Sequence, residues 1–250
     1  MNLNIENKLA IVTGAGQGIG KAIAISLADE GVKVILVGRT LEKLENVKKE
    51  LKGESKHDCF AIDLMKENAI SELVKYVTSK HGEPDILVHN LGGSFGVPAM
   101  GSVEDWQKVW YFNVGISHAL NLAFMPGMAQ RKWGRIVQLS TLSTQTYNGY
   151  AAYVSAKCAL DGYVKAVNRE VSKDNVIISA VAPGAIFSEG RHFAKLQREN
   201  PEAILEYFKN HLPINRLGTG EDIGPMVAFL CSDLASFFAG SIIGIDGGGM

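Results

Sequence analysis

The chain has 250 residues, enough for one large α/β domain or two small ones with a substantial buried core, and a single domain is the expectation. Its 25 Lys and Arg against 26 Asp and Glu leave a net charge of −1, which offers no field for nucleic acid or an anionic membrane surface, so neither is an expected partner. No stretch reaches the roughly 18 to 20 apolar residues of a membrane span, the start MNLNIENK lacks the order of a signal peptide, and Cys59, Cys158 and Cys231 lie far apart. A soluble cytoplasmic protein with reduced, packing cysteines and no metal site is expected.

Residues 8–13, KLAIVT, read as a buried strand, and TGAGQGIG follows at once, opening a helix to about Glu30. Glycines at 14, 16, 18 and 20 let the backbone turn tightly against a pyrophosphate, which the free N–H groups of the helix start would hold. Val32 to Val37 is a second strand, and Leu41, Leu44, Val47 and Leu51 give the next helix one apolar face. The strand end reads VGRT: Arg39 and Thr40 stand where a carboxylate would accept from an unphosphorylated adenosine ribose, so NADP is favoured, with NAD possible.

His57 to Ile62 is a third strand ending at Asp63, and Ile70, Leu73, Val74 and Val77 mark a helix that stops near His81 and Gly82. A fourth strand, Asp85 to His89, enters the glycine-rich NLGGSFG, and a helix from about Val103 to Met128 follows, with Pro126 and Gly127 at its end. The strand from Arg135 to Leu139 leads into STLSTQTYNGYAAYVSAK, which puts Tyr153 and Lys157 one turn apart on a helix ending near Ser172. An ammonium beside a phenol lowers its pKa from about 10, and a lowering of roughly three units needs about 4 kcal/mol, hence a partly desolvated site. Val176 to Val181 is a sixth strand stopped by Pro183-Gly184, residues 186–216 form a long charged excursion, and a helix from Glu221 to Cys231 precedes a last strand, Ser241 to Ile245. Strands alternating with helices predict an α/β, doubly wound Rossmann fold on a seven-stranded parallel sheet, with 186–216 inserted over the strand ends as a substrate lid. If Gly190 to Asn200 is helical, Arg191, Lys195 and Arg198 form a basic stripe, set either toward an anionic substrate or toward solvent with Glu199 and Glu202 as ion-pair partners.

Taken together in this order, TGAGQGIG, Asp63, HNLGG, WQKVWYFNV, YVSAK and PGAIFS resemble the short-chain dehydrogenase/reductase family over essentially the whole chain, and its 3-oxoacyl-(acyl-carrier-protein) reductase-like members in particular. The resemblance implies an NAD(P)-dependent oxidoreductase interconverting a secondary alcohol and a ketone, such as a 3-oxoacyl, sugar or other polar ketone; an epimerase or dehydratase with internal hydride return, and a non-catalytic dinucleotide-binding regulator, are the alternatives. It implies Tyr153 as acid/base, Lys157 on the nicotinamide ribose, Asn113 in a proton relay and a serine on the substrate oxygen. Ser140 has the family's separation from Tyr153 and is the expectation, whereas matching by strand end selects Thr141 and Ser143 is also near; Tyr147 and Tyr150 either line the pocket or lie on the surface. Cofactor contacts are implied for Gly14, Gly16, Gln17, Gly18, Ile19, Gly20, Asp63, Leu64, Asn90, Gly92, Pro183, Gly184, Ile186 and Ser188, with Tyr153 and Lys157 themselves. His89 and Leu91 depart from the family's NNAG, so that loop's supporting hydrogen bonds are expected to differ. A homotetramer or dimer through the helices at 103–128 and 152–172 and the last strand is also implied.

Overall fold

The apolar runs become seven parallel strands in the computed structural model, which describes residues 2–190 and 192–249, with only the backbone of His192. They are β1 (Leu9–Thr13), β2 (Lys33–Gly38), β3 (Asp58–Ala61), β4 (Ile86–His89), β5 (Gly134–Leu139), β6 (Val176–Pro183) and β7 (Ile242–Ile245), in the order β3-β2-β1-β4-β5-β6-β7. Ala10 is in register with Val34 on one side and Ile86 on the other, so β1 is central. Strand order reverses there, and the carboxyl ends of β1 and β4 open a crevice between them.

The helices are α1 (Gly18–Asp29), α2 (Leu41–Glu50), α3 (Ala69–Lys80), α4 (Val103–Trp110), α5 (Ile116–Gln130), α6 (Ser143–Thr146), α7 (Ala151–Val171), α8 (His192–Glu199), α9 (Pro201–His211) and α10 (Gly220–Leu230). One core layer packs α1, α2 and α10 on the sheet through Ile23, Leu27, Leu44 and Val227; the other packs α3, α5 and α7 through Leu73, Leu120, Phe124 and Val164. Residues buried on both faces explain why the strands read as unbroken apolar runs. Ser102 caps α4, accepting from Asp105 N at 3.1 Å, and Thr219 with Asp222 forms a capping box on α10. Cys59 and Cys231 are buried and Cys158 half-buried, all free thiols, and no helix of the described residues is long and apolar enough to cross a membrane.

Three segments depart from the sequence reading. The helix expected from 103 to 128 is interrupted by a π turn, Tyr111–Gly115, and then continues through Pro126 to Gln130, because Met128 is fully buried and holds the last turn on the sheet. The loop after β5 contains the short α6, which no periodicity in STLSTQT announced. The excursion after β6 is two helices with an apolar cluster of its own, Ala185, Ile204, Leu212 and Leu217, against which Leu196 and Phe208 pack.

At the sheet edge, Asp58 accepts from Tyr76 Oη at 2.6 Å, Lys80 Nζ at 2.7 Å and His81 Nε2 at 2.8 Å. Burial pulls this carboxyl up, but the hydrogen bonds from Lys80, Tyr76 and His81 outweigh it and hold it far below the usual range. A carboxyl depressed in the folded state contributes stability above its unfolded pKa of about 3.9 and loses it as pH falls toward the folded value. The urea midpoint of the wild type should therefore fall more steeply between pH 5 and pH 3 than that of Asp58→Asn, as read by circular dichroism; parallel pH profiles would contradict the assignment.

Candidate active site and cofactor cleft

The strand-to-helix turn after β1 is built from conformations and contacts that only glycine permits. Gly14 and Gly18 have φ of 66° and 56°, and a Cβ on Gly20 would fall 2.3 Å from Gly14 O. Gln17, the residue before α1, gives no side-chain cap, so the first amides of α1 are left for an anion. Asn90 secures the turn from the neighbouring strand: its Nδ2 donates to Thr13 O at 3.2 Å and Gly14 O at 3.1 Å, and its backbone N–H donates to Thr13 Oγ1 at 3.1 Å.

A cleft of about 400 Å³ runs from this turn along the ends of β1, β2 and β4. Gly14 and Gly16 to Ile19 form its floor, Arg39 and Thr40 stand at one end, and Asp63, Leu64, Asn90, Gly92, Ile186 and Ser188 complete the walls. Gly20, Pro183 and Gly184 lie behind the lining: Gly20 is packed under the turn, and a Cβ on Gly184 would meet Asp246 Cα at 2.8 Å. Sequence reasoning missed Lys43 and Phe112, which also line the cleft. Lys43 sits in the first turn of α2, three residues past Thr40, a spacing that was available as a signal; Phe112 lies in the π turn, which was not. Asp63 Oδ1 accepts from Met65 N at 3.1 Å, so it fixes its own turn while facing the cleft.

Asn113, Tyr153 and Lys157, the groups suited to proton chemistry, are not among the residues lining this cleft and lie behind its wall at Gly92. Asn113, carried by the π turn, donates through Nδ2 to Gly93 O at 2.9 Å and Val109 O at 2.8 Å and accepts from Gly93 N at 3.1 Å, which ties the loop after β4 to the helix. A Cβ on Gly92 would lie 3.0 Å from Lys157 Nζ and 3.1 Å from Asn113 Oδ1, so these three residues converge. His89, one of the residues that depart from NNAG, is fully enclosed, its Nε2 paired at 2.8 Å with Asn121 Oδ1, and burial pushes its pKa down to about 4. Neutral His89 therefore braces β4 against α5.

Lys157 is 2% exposed, and its Nζ donates to Leu139 O at 2.6 Å and lies 6.0 Å from the centre of the Tyr153 ring. Burial brings its pKa down to about 8, with Asp161 opposing. The phenol of Tyr153 is raised, by burial first, with a hydrogen bond to Thr141 working against it. The lowering expected from the sequence is thus reversed in the protein by itself, because Nζ turns to the strand end while the ring sits in apolar surroundings.

The hydroxyl groups divide as spacing alone did not indicate. Ser140 is buried and donates to Asp161 Oδ1 at 2.5 Å, whereas Thr141 Oγ1 meets Tyr153 and also accepts from Ser143 N at 3.3 Å. Thr141, with Ser143 beside it, faces the phenol; Ser140 faces the helix behind. Tyr147 is 72% and Tyr150 50% exposed, both on the loop leading into α7. In the excursion, α8 carries Lys195, 3.9 Å from Glu199, and Arg198, which pairs at 2.7 Å with Glu189 rather than Glu202; Arg191 lies outside the described residues.

A glycine-floored anion cradle beside a Tyr/Lys pair defines a dinucleotide-dependent oxidoreductase site, and comparison with known proteins agrees. A family profile described as enoyl-(acyl carrier protein) reductase matches residues 14–249. A 3-oxoacyl-[acyl-carrier-protein] reductase of Aquifex aeolicus is 32% identical, covering 99% of each chain, and a 7alpha-hydroxysteroid dehydrogenase of Escherichia coli is 31% identical, covering 100% of this chain and 96% of that one. The solved L-sorbose reductase of Gluconobacter frateurii, complexed with NADPH and L-sorbose, superposes with a TM-score of 0.92 at 30% identity, covering 100% of this chain and 99% of that one. The chain belongs to the short-chain dehydrogenase/reductase family and is an NAD(P)-dependent oxidoreductase acting between secondary alcohols and ketones.

Proposed function

We propose that this protein is an NADPH-dependent ketone reductase whose substrate is a 3-oxoacyl, sugar or other polar ketone. The observation that carries the cofactor preference is the end of the cleft at β2. Arg39, Thr40 and Lys43 line it, and Asp63, already engaged with its own turn, is the only carboxylate of the lining among the described residues. Two cations suit a ribose phosphate, and Arg39 has a planar fork matched to it. A bound nicotinamide supplies the hydride.

The chain supplies the rest. The uncapped start of α1 with Gly16 to Ile19 holds the pyrophosphate, Asp63 and Leu64 border the adenine, and Asn90 and Gly92 shape the wall beside the nicotinamide. Thr141 and Ser143 direct their hydroxyls at the ketone oxygen, in place of the expected Ser140. Tyr153, kept neutral by burial, holds the proton that the oxygen receives, and Lys157 beneath it fixes the ribose. Asn113 holds the loop of Gly93 on the far side and leads protons toward water. Residues 186–216 serve as the lid: Ile186 and Ser188 enter the cleft wall, while α8 and α9 ride on their own apolar cluster above it. The protein works as a homo-oligomer through the face of α4 and α5, where Val103, Trp110 and Leu122 are large, apolar and exposed.

Affinities for NADPH and NADH, measured by fluorescence titration, test the reading. NADPH is expected to bind more tightly, and Arg39→Asp should erode that advantage by at least about tenfold, since one charge-assisted hydrogen bond is worth about 1.5–3 kcal/mol. Tighter NADH binding by the wild type would overturn the preference. A panel of ketones followed by NADPH absorbance then identifies the substrate.

A further inference from the structure

Leu139 and Ser140, the end of β5 and the residue after it, each take one side chain from α7, and the two side chains are one helical turn apart. Leu139 O accepts from Lys157 Nζ at 2.6 Å, and Ser140 Oγ donates to Asp161 Oδ1 at 2.5 Å. A cation that is 2% exposed needs a counter-charge, and its other surroundings bring none. The loop after β4 approaches with the backbone of Gly92, the π turn with the neutral amide of Asn113, and α4 packs on α7 with Trp106. On α7 itself Tyr153 is a neutral phenol, and Cys158 turns its Sγ to Thr144 O at 3.9 Å. Among the described residues the one charge acting on Lys157 is Asp161.

We propose that Asp161, held in place by Ser140, is a positioning residue: the counter-charge that keeps the Lys157 ammonium seated beneath Tyr153. Ser140, expected from spacing to hold the substrate, instead serves the lysine from behind. The arrangement joins strand and helix at the level where the reacting groups sit. A neutral residue at position 161 would leave the lysine to burial alone, and an opposite charge nearby is the factor that favours the charged form. The proposal rests on the reading of Lys157 as the group that fixes the ribose.

The test is the titration of Lys157 followed by NMR of labelled lysine side chains in the cofactor-free protein, beside the pH dependence of NADPH binding. The wild-type lysine should titrate near pH 8. Asp161→Asn should lower that midpoint by about one pH unit and draw the alkaline limit of NADPH binding down with it, while Asp161→Glu restores both. Ser140→Ala, which leaves the carboxylate but frees it, should move the midpoint in the same direction by less, and it decides the matter if Asp161→Asn does not fold. An unmoved midpoint in folded Asp161→Asn would overturn the proposal. So would a Ser140→Ala enzyme that loses turnover with its lysine midpoint unchanged, since that result returns Ser140 to the substrate. Failure of the wild type to bind NADPH would remove the functional reading instead, and the lysine titration would still decide this one.

Discussion

Tyr153→Phe is expected to lower turnover by about 10² to 10⁴, the usual contribution of a general acid, while NADPH still binds. Only the hydroxyl is removed, and the ring's packing with Val97, Val109 and Leu160 stays. Burial raises the phenol, and this suits reduction, because the group that must give a proton to the alkoxide is fully protonated at neutral pH. Lys157 is pushed down only to about 8 and is mostly an ammonium there, ready to hold the ribose and to stabilise the phenolate left after transfer. Single-turnover mixing with NADPH and ketone separates the steps: the variant should form the binary complex at a normal rate and then stall. A variant retaining near-normal turnover would take the proton from another group, and Tyr153 would lose its role.

The fold was legible because a parallel sheet covered on both faces turns each strand into a short, nearly continuous apolar run, and β1, β6 and residues 34–37 of β2 are buried throughout. The glycine turn was legible for a related reason, since Gly14 and Gly18 sit where other residues pay for a left-handed backbone. The π turn was not legible, because its cause is tertiary: Asn113 bonds across to Gly93, twenty residues away in sequence. Ser140 was chosen over Thr141 by counting residues to Tyr153. Direction, however, depends on the side from which each residue leaves the strand end, and neighbours leave on opposite sides, so Ser140 goes to Asp161 and Thr141 to the phenol. The ammonium's effect on Tyr153 was misjudged because spacing on a helix gives a shared face but not the direction of a long side chain, which here follows the carbonyl of Leu139. The basic stripe, too, was only a helical-wheel pattern, and the partner of Arg198 comes from Glu189 in the preceding loop.

Gly20→Ala, at a position packed under the turn, is expected to damage the cofactor site more than a methyl added at Gly16 in its floor. By helix propensity alone the change should help, because alanine exceeds glycine by about 1 kcal/mol inside a helix. The contacts decide otherwise. The new Cβ would lie 2.3 Å from Gly14 O and 2.5 Å from Asn90 Nδ2, and these two atoms are themselves hydrogen-bonded at 3.1 Å. A backbone carbonyl cannot swing aside as a side chain can, so relief requires the turn to lift and Asn90 to release it. Overpacking of this kind costs about 1–3 kcal/mol, which outweighs the propensity gain. Stability in urea should fall by that order, and NADPH affinity by at least about tenfold, equivalent to about 1.4 kcal/mol. Gly16→Ala is the matched control, since its Cβ would meet Lys43 Cβ at 3.3 Å and Leu44 Cδ2 at 3.7 Å, side-chain contacts that a small shift of α2 accommodates. Its stability should stay close to wild type. Equal losses in the two variants would mean that the whole turn resists any added methyl, and the specific support of Gly14 by Asn90 would then explain nothing about cofactor binding.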